Sequence, residues 1–269
     1  SPNDIVFYDQ LTETGRIDPG STTSGIRALS GPYARLAGKR AARQVVGVDG
    51  RGYDTGLVPA IFGSLVVEAS TAKTEPGRTF AVRDLARPEA APIPIGLPDT
   101  AGRAYRDTDW RMWGDWVSAT YEAFEGYPTV LFNYRTGQTA EFPREVQVLA
   151  LGDGFALLAD YAAGQVRLRL LATGEEIVVT DEDAVVTTDG VRTLAWSGTD
   201  GAQLARIEGL PAPVPRLLGA LGASDFQADG QQPWTPQFDL TTPTGEGSLK
   251  LANPDGTVLA ELPAAAAPG

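Results

Sequence analysis

The clearest alternation of apolar and polar positions runs from Glu145 to Asp183, EVQVLALGDGFALLADYAAGQVRLRLLATGEEIVVTDED. Residues 146–151 form an apolar run closed by Gly152-Asp153-Gly154, and residues 155–161 form a second, closed by Ala162-Ala163-Gly164. From Gln165 the pattern alternates, with Val166, Leu168 and Leu170 on one face and Gln165, Arg167 and Arg169 on the other. Period-two alternation marks a half-buried strand. After Thr173-Gly174, the β-branched run 176–180 predicts a fourth strand. Glycine suits these turns because it takes positive φ without steric cost. Four antiparallel strands in about 40 residues have the size of one propeller blade.

The unit recurs. A turn glycine followed by an apolar strand occurs in SGPYARLA, FGSLVVEA, WGDWVSAT, LGDGFALLA and TDGVRTLAW, at Gly31, Gly63, Gly114, Gly152 and Gly190, with intervals of 32, 51, 38 and 38 residues. A third-strand motif follows each: RQVVGVDGRG, RTFAVRDLAR, PTVLFNYRTG, QVRLRLLATG and AQLARIEGLP. The long interval holds a Pro- and Ala-rich piece, residues 87–106, expected to be a loop insertion. A sixth copy, IVFYDQLTETG, begins at Ile5 with no strands before it. A blade that starts midway is completed by strands from the far end of the chain, which removes the exposed edge. Residues 247–252 and 257–262 flank Asn253-Pro254-Asp255-Gly256 and predict a hairpin for that purpose. The expected fold is an all-β propeller of five to six four-stranded blades, six when both chain ends close the ring. The competing expectation is a five-bladed ring with residues 234–262 as an appended sheet. Residues 1–221 are expected to form the propeller, and residues 222–269 a C-terminal segment ending in an Ala/Pro-rich tail. Residues 210–221 are too Pro-rich at their start for a helix of more than about a turn.

Arg83-Asp84-Leu85, Thr136-Gly137 and Thr173-Gly174 carry a strand–turn rhythm over roughly Ile5 to Leu218. This rhythm resembles that of the secreted β-propeller proteins of high-GC actinobacteria. The resemblance implies an extracellular propeller and leaves function open, because propellers host enzymes, lectins and scaffolds alike. WTPQFDLTTPTGEGSLKLANPDGTVLAEL also resembles the start of an Ig-like module, though too short for a whole one. Some secreted actinobacterial propellers are acyl donors in transglutaminase cross-linking, so Gln10, Gln138, Gln227, Gln231 and Gln232 are loop candidates for a cross-linking substrate.

Composition narrows the function. The net charge is −12, which repels phosphate backbones and argues against a nucleic-acid partner. No apolar run is long enough to span a membrane. Only Lys39, Lys73 and Lys250 are lysines, a bias matching a high-GC source. The absence of an initiator methionine, the acidity and the resemblance point to a secreted or cell-wall-associated protein, and the Ala-rich end to a fragment of a longer cell-surface protein. There is no histidine and no cysteine, which removes Ser-His-Asp and Cys-His catalysis, imidazole and thiolate metal sites, and disulfides. No Gly-rich phosphate loop is present.

Carboxylates remain, and a glycosidase needs only two, about 5 to 10 Å apart. Asp153, Asp189, Asp200 and Asp255 and the groups around Asp107, Asp109, Asp181 and Asp183 all fall at predicted turns. There an aspartate ordinarily bonds its own backbone. Asp107, Asp109, Asp181 and Asp183 are also the candidates for a calcium site, although no segment has EF-hand spacing. The most unusual local composition is Asp109-Trp110-Arg111-Met112-Trp113-Gly114-Asp115-Trp116, with three of the five tryptophans, followed by Tyr121. On a strand Trp110 and Met112 share one face, and Arg111 and Trp113 the other. One face is expected to fill the gap between blades. One or two of these rings are expected instead to form a rim platform, which makes Trp110, Arg111, Trp113, Trp116 and Tyr121 the ligand-binding candidates for a protein or polysaccharide partner. The function expected is a non-catalytic extracellular binding or scaffold protein using loops on one propeller face. The alternative is a carbohydrate-active enzyme with paired carboxylates in the central cleft.

Overall fold

The computed structural model describes residues 5–8, 13–17, 26–36, 45–47, 51–53, 55, 57–69, 79–97, 109–121, 127–181, 185–198, 201–221, 237–242, 246–252 and 257–265. Strands β1 (Ile5–Tyr8) and β2 (Glu13–Ile17) pair as a ribbon. Then come four antiparallel four-stranded sheets. The first comprises β3 (Ile26–Ser30), β4 (Tyr33–Leu36), β5 (Val45–Gly47) and β6 (Gly52–Tyr53). The second comprises β7 (Ala60–Phe62), β8 (Leu65–Ala69), β9 (Phe80–Asp84) and β10 (Ile93–Pro94). The third comprises β11 (Arg111–Trp113), β12 (Trp116–Thr120), β13 (Thr129–Asn133) and β14 (Thr139–Phe142). The fourth comprises β15 (Val146–Gly152), β16 (Phe155–Asp160), β17 (Gln165–Leu170) and β18 (Glu176–Thr180). A fifth sheet has β19 (Val185–Thr188), β20 (Thr193–Gly198) and β21 (Gly201–Arg206). Strand β22 (Leu217–Leu221) pairs with β23 (Gln237–Leu240), and β24 (Glu246–Ala252) with β25 (Val258–Ala265), the expected C-terminal hairpin.

Each four-stranded sheet is a meander of blade type, and its strands are joined in chain order. The first strands of successive sheets touch in turn: β3 with β7, β7 with β11, β11 with β15, β15 with β19. The core is therefore a stack of inter-sheet layers. Tyr33, Val45, Ile61 and Val66 fill the first gap, and Phe62, Phe80, Trp110 and Phe132 the second. Leu131, Val148, Leu151 and Leu158 fill the third, and Phe155, Leu168, Leu194 and Ile207 the fourth.

Three details depart from the repeat. Gly152 is not a turn residue but the last of β15, paired with Phe155, and the turn is Asp153-Gly154. What requires glycine at 152 is space: a Cβ would stand 2.2 Å from the Phe155 ring. The 87–106 piece is not all loop, since Ile93-Pro94 is the outer strand of the second sheet, a two-residue edge of the kind that tolerates proline. The fifth sheet has three strands among the described residues. After it, Pro211, Pro213 and Pro215 lack the N–H that a fourth strand would need.

Turn carboxylates bond their own backbone, as their residue type implies. Asp160 Oδ1 accepts from the Ala162 and Ala163 N–H groups, and Asp189 Oδ1 from those of Val191, Arg192 and Thr193. Asp84 accepts from Ser64 Oγ at 2.6 Å, the Ala86 N–H and Arg87 Nε. Burial alone pushes the Asp84 and Asp189 carboxyls up, but these hydrogen bonds outweigh it and hold both below their ordinary 3.8. A depressed folded pKa gives stability that is complete above the unfolded value and is lost as pH falls through the folded one. Urea midpoints should therefore hold from pH 7 to about pH 5 and drop below pH 4. D84N should flatten that drop.

Candidate functional site

The first-hairpin turns of the five sheets lie at one end of the stack, and the chain after β21 crosses that end. Ile207 donates its N–H to Arg192 O at 2.7 Å. Leu210 O and Pro211 O accept from Arg192 Nη2. Val214 N–H donates to Asp153 Oδ2 at 2.8 Å. Arg216 lies over Gly114, Leu218 over Gly63 and Gly31, and Gly219 against Pro32. This strap thus meets the turns of the fifth, fourth, third, second and first sheets in that order. Where it passes the third sheet, Arg216 N–H donates to Thr241 Oγ1 at 3.0 Å, and Thr241 N–H returns a bond to Arg216 O.

Beneath the strap the turns are tied to one another. Gly63 N–H donates to Ser30 Oγ at 2.6 Å, and Asp153 N–H to Gly190 O at 2.7 Å. Trp113 reaches across the gap between them. Its ring stands 5.0 Å from that of Phe62 in the second sheet and touches Gly190 in the fifth, where a Cβ would come within 2.1 Å of the indole. Glycine at 190 is thereby the space into which Trp113 fits.

Between the third and fourth sheets, under the strap, lies a cleft of ≈ 280 Å³. Trp113 and Trp116 line it from the two ends of the Gly114-Asp115 turn, where they are directly paired across β11 and β12. Asn133, Gln138, Asp153 and Arg216 bring amide, carboxylate and guanidinium groups to the same space. Asn133 is held in place because its Oδ1 accepts from the Arg135 and Thr136 N–H groups, both at 3.0 Å. Beside the cleft Asp115 accepts from Tyr134 Oη and Arg135 Nε. Burial, followed by the Asp115 charge, pushes the Tyr134 phenol up to about 12, so it stays a neutral donor to that carboxylate.

Of the candidates read from the sequence, Trp113 and Trp116 are brought together on the cleft. Trp110 and Met112 share the buried face as alternation requires, and Trp110 is 3% exposed with its ring 4.5 Å from that of Phe80. Arg111 is exposed and donates from Nε to Leu149 O of the next sheet at 3.3 Å. Tyr121 is at the opposite end of the third sheet, where its N–H donates to Pro128 O. Among the described residues no three His, Cys, Asp or Glu side chains gather as a metal ion would need. Asp181 accepts from Gln165 Nε2 at 2.9 Å and Asp109 is half-buried, while Asp107 and Asp183 lie outside the described residues. Of the other cleft residues, Asn133 and Arg216 stayed unseen in the sequence, while Asp153 stood among the turn carboxylates and Gln138 among the cross-linking candidates. Asp153 and Gln138 read as turn and loop positions, and Arg216 sits in a stretch without periodicity.

No protein-family model and no curated protein sequence matches the chain. Solved structures similar to it include the tricorn protease, at 14% identity and a TM-score of 0.31, covering 65% of this chain and 19% of that one. They also include two structures of AztD from Citrobacter koseri, one of them apo, at 13% identity and TM-scores of 0.36 and 0.37, each covering 74% of this chain and 63% of that one. The chain thus spans about a fifth of the first and less than two thirds of the others. Likeness of this degree concerns fold alone and adds nothing to the chemistry of the cleft.

Proposed function

We propose that this chain is a non-catalytic binding protein that takes a saccharide in the Trp113–Trp116 cleft, on the turn-bearing face of a propeller. The observation that carries the reading is the convergence of two indoles with Asn133, Gln138, Asp153 and Arg216 around one concavity. A sugar ring offers an apolar C–H face that lies on indole, and hydroxyls that pair with planar amide, carboxylate and guanidinium groups. At ≈ 280 Å³ the cleft lies just under the small end of the usual range for small-molecule pockets, about 300 Å³, which suits about one ring at a chain end. A protein partner would instead call for a flatter and larger patch. In the same reading the ring has six blades, the sixth supplied by β1–β2 and β24–β25 together. The burial of Ala34, Leu36 and Val46, on the face of the first sheet turned away from the second, supports a further layer there. A secreted or cell-wall setting rests on the acidic composition and the repeat's resemblance.

The test is thermal melting and calorimetry against cello-, xylo-, chito- and malto-oligosaccharides and an oligogalacturonate. A glycan at about a hundred times its Kd should add about 2.7 kcal/mol, a rise of several degrees. Trp116→Ala should stay folded and weaken that binding tenfold or more. A panel without a single shift would overturn the saccharide reading and leave a protein partner as the ligand to seek.

A further inference from the structure

The strap does more than lie across the turns: one of its residues, Arg216, is a wall of the cleft. We infer that the cleft is complete only when the strap is seated, that Asp153 is the positioning residue that seats it, and that Arg216 so delivered determines which ligand oxygens are read. The ligand part of this inference rests on the saccharide reading above; the latch does not.

Asp153 is suited to the task by its own anchoring. Its N–H is bonded to Gly190 O, which fixes the turn of the fourth sheet to that of the fifth. Its carboxylate then faces the strap with both oxygens. Oδ2 accepts the Val214 N–H at 2.8 Å, and Oδ1 stands 3.7 Å from Arg216 Nε. The bonds available to the strap are few. Pro211, Pro213 and Pro215 have no N–H to give, and that of Arg216 is taken by Thr241 Oγ1. The Val214 N–H is the donor that meets the fourth sheet, and Asp153 receives it. Prolines also fix φ along this segment, so it moves as a stiff piece rather than fraying residue by residue.

Arg216 is placed to meet a ligand rather than to be consumed by its own contacts. The guanidinium rests on Gly114, where a Cβ would stand 2.8 Å from Cζ, so glycine there makes room for it. At 3.7 Å the contact to Asp153 is an ion pair beyond hydrogen-bond length. A guanidinium has five N–H donors in a fixed fork, which suits paired oxygens of a ligand facing Trp113 and Trp116. Releasing the strap removes this group from the site while leaving both indoles in place.

The latch is tested first on the free protein, by amide exchange. D153A should speed exchange at the Val214 N–H tenfold or more and raise thermolysin cleavage within residues 210–218, with β16 amides unchanged. D153N keeps a carbonyl acceptor for that N–H and loses the charge opposite Arg216, so Val214 exchange should stay within about threefold of wild type. If D153A does not fold, Val214→Pro removes the donor from the other side and must produce the same strap cleavage. Wild-type exchange and cleavage in these variants would overturn the latch. With an oligosaccharide that binds the wild type, D153A and R216A should each bind it tenfold more weakly, and the bound glycan should slow strap exchange. Undiminished binding by both variants would overturn the strap as a wall while leaving the cleft intact. If no oligosaccharide binds the wild type, the saccharide reading fails and the exchange experiment alone decides the latch.

Discussion

Phe155→Ala is expected to cost about 4 kcal/mol and to lower Tm by about 10 °C. The side chain is fully buried, with Leu157, Leu168, Leu194 and Ile207 around it in the layer between the fourth and fifth sheets. Its ring also lies against Gly152 across the hairpin. Alanine would leave a ring-sized void that Gly152, lacking a side chain, cannot fill. The backbone there is held by the hydrogen bond from Asp153 to Gly190, so the walls cannot collapse inward to recover the contacts. Phe155→Leu, which keeps most of the volume, should cost less than half as much. Urea denaturation with an unchanged m-value is the check. An alanine variant within about 1 kcal/mol of wild type would mean that this layer is not packed as described.

The same residue shows what could be read from sequence and what could not. Residues 155–161 stood out as a strand because they form an apolar run between turn residues, and β16 occupies nearly that span. Alternation along 165–170 likewise matches β17, with Val166 and Leu168 buried. The split of Trp110 and Met112 from Arg111 and Trp113 was legible from strand period alone. Gly152 was readable as an obligatory glycine but not for the right reason, since the space it leaves for Phe155 follows from packing and not from the local pattern.

The site was harder to read for the same reason. Trp113 and Trp116 drew notice through composition. Their companions are supplied by two different turns and by a strap whose contact with Asp153 spans 61 positions. A Pro-alternating stretch has no hydrophobic period, so residues 211–216 could be recognised only as too Pro-rich for a helix. Asp153 carried the signature of a turn aspartate and is one. Its second role, accepting Val214, is fixed by the order in which five turns meet one crossing segment.

That crossing can be weighed through a pair of glycines. Gly63 and Gly137 have positive φ of 55° and 76°. Alanine at either carries the strain of a left-handed L-residue, about 1–2 kcal/mol. At Gly137 nothing lies within 4 Å of the added Cβ, so strain is the whole effect, a fall in Tm of about 4 °C. At Gly63 the Cβ would stand 2.6 Å from both the Cα and the carbonyl oxygen of Leu218. These are backbone atoms, which cannot rotate aside as a side-chain tip can, so the strap itself must lift. Lifting it would also pull at the bonds on Asp153 and Thr241 further along. G63A should therefore cost about 3 kcal/mol or more, lower Tm by about 10 °C, and open residues 210–218 to thermolysin where G137A does not. The difference between the two variants isolates the collision from the strain. Equal costs would mean that the strap does not rest on the turn of the second sheet. A larger cost for G63A without new cleavage would mean that the turn gives way and the strap stays.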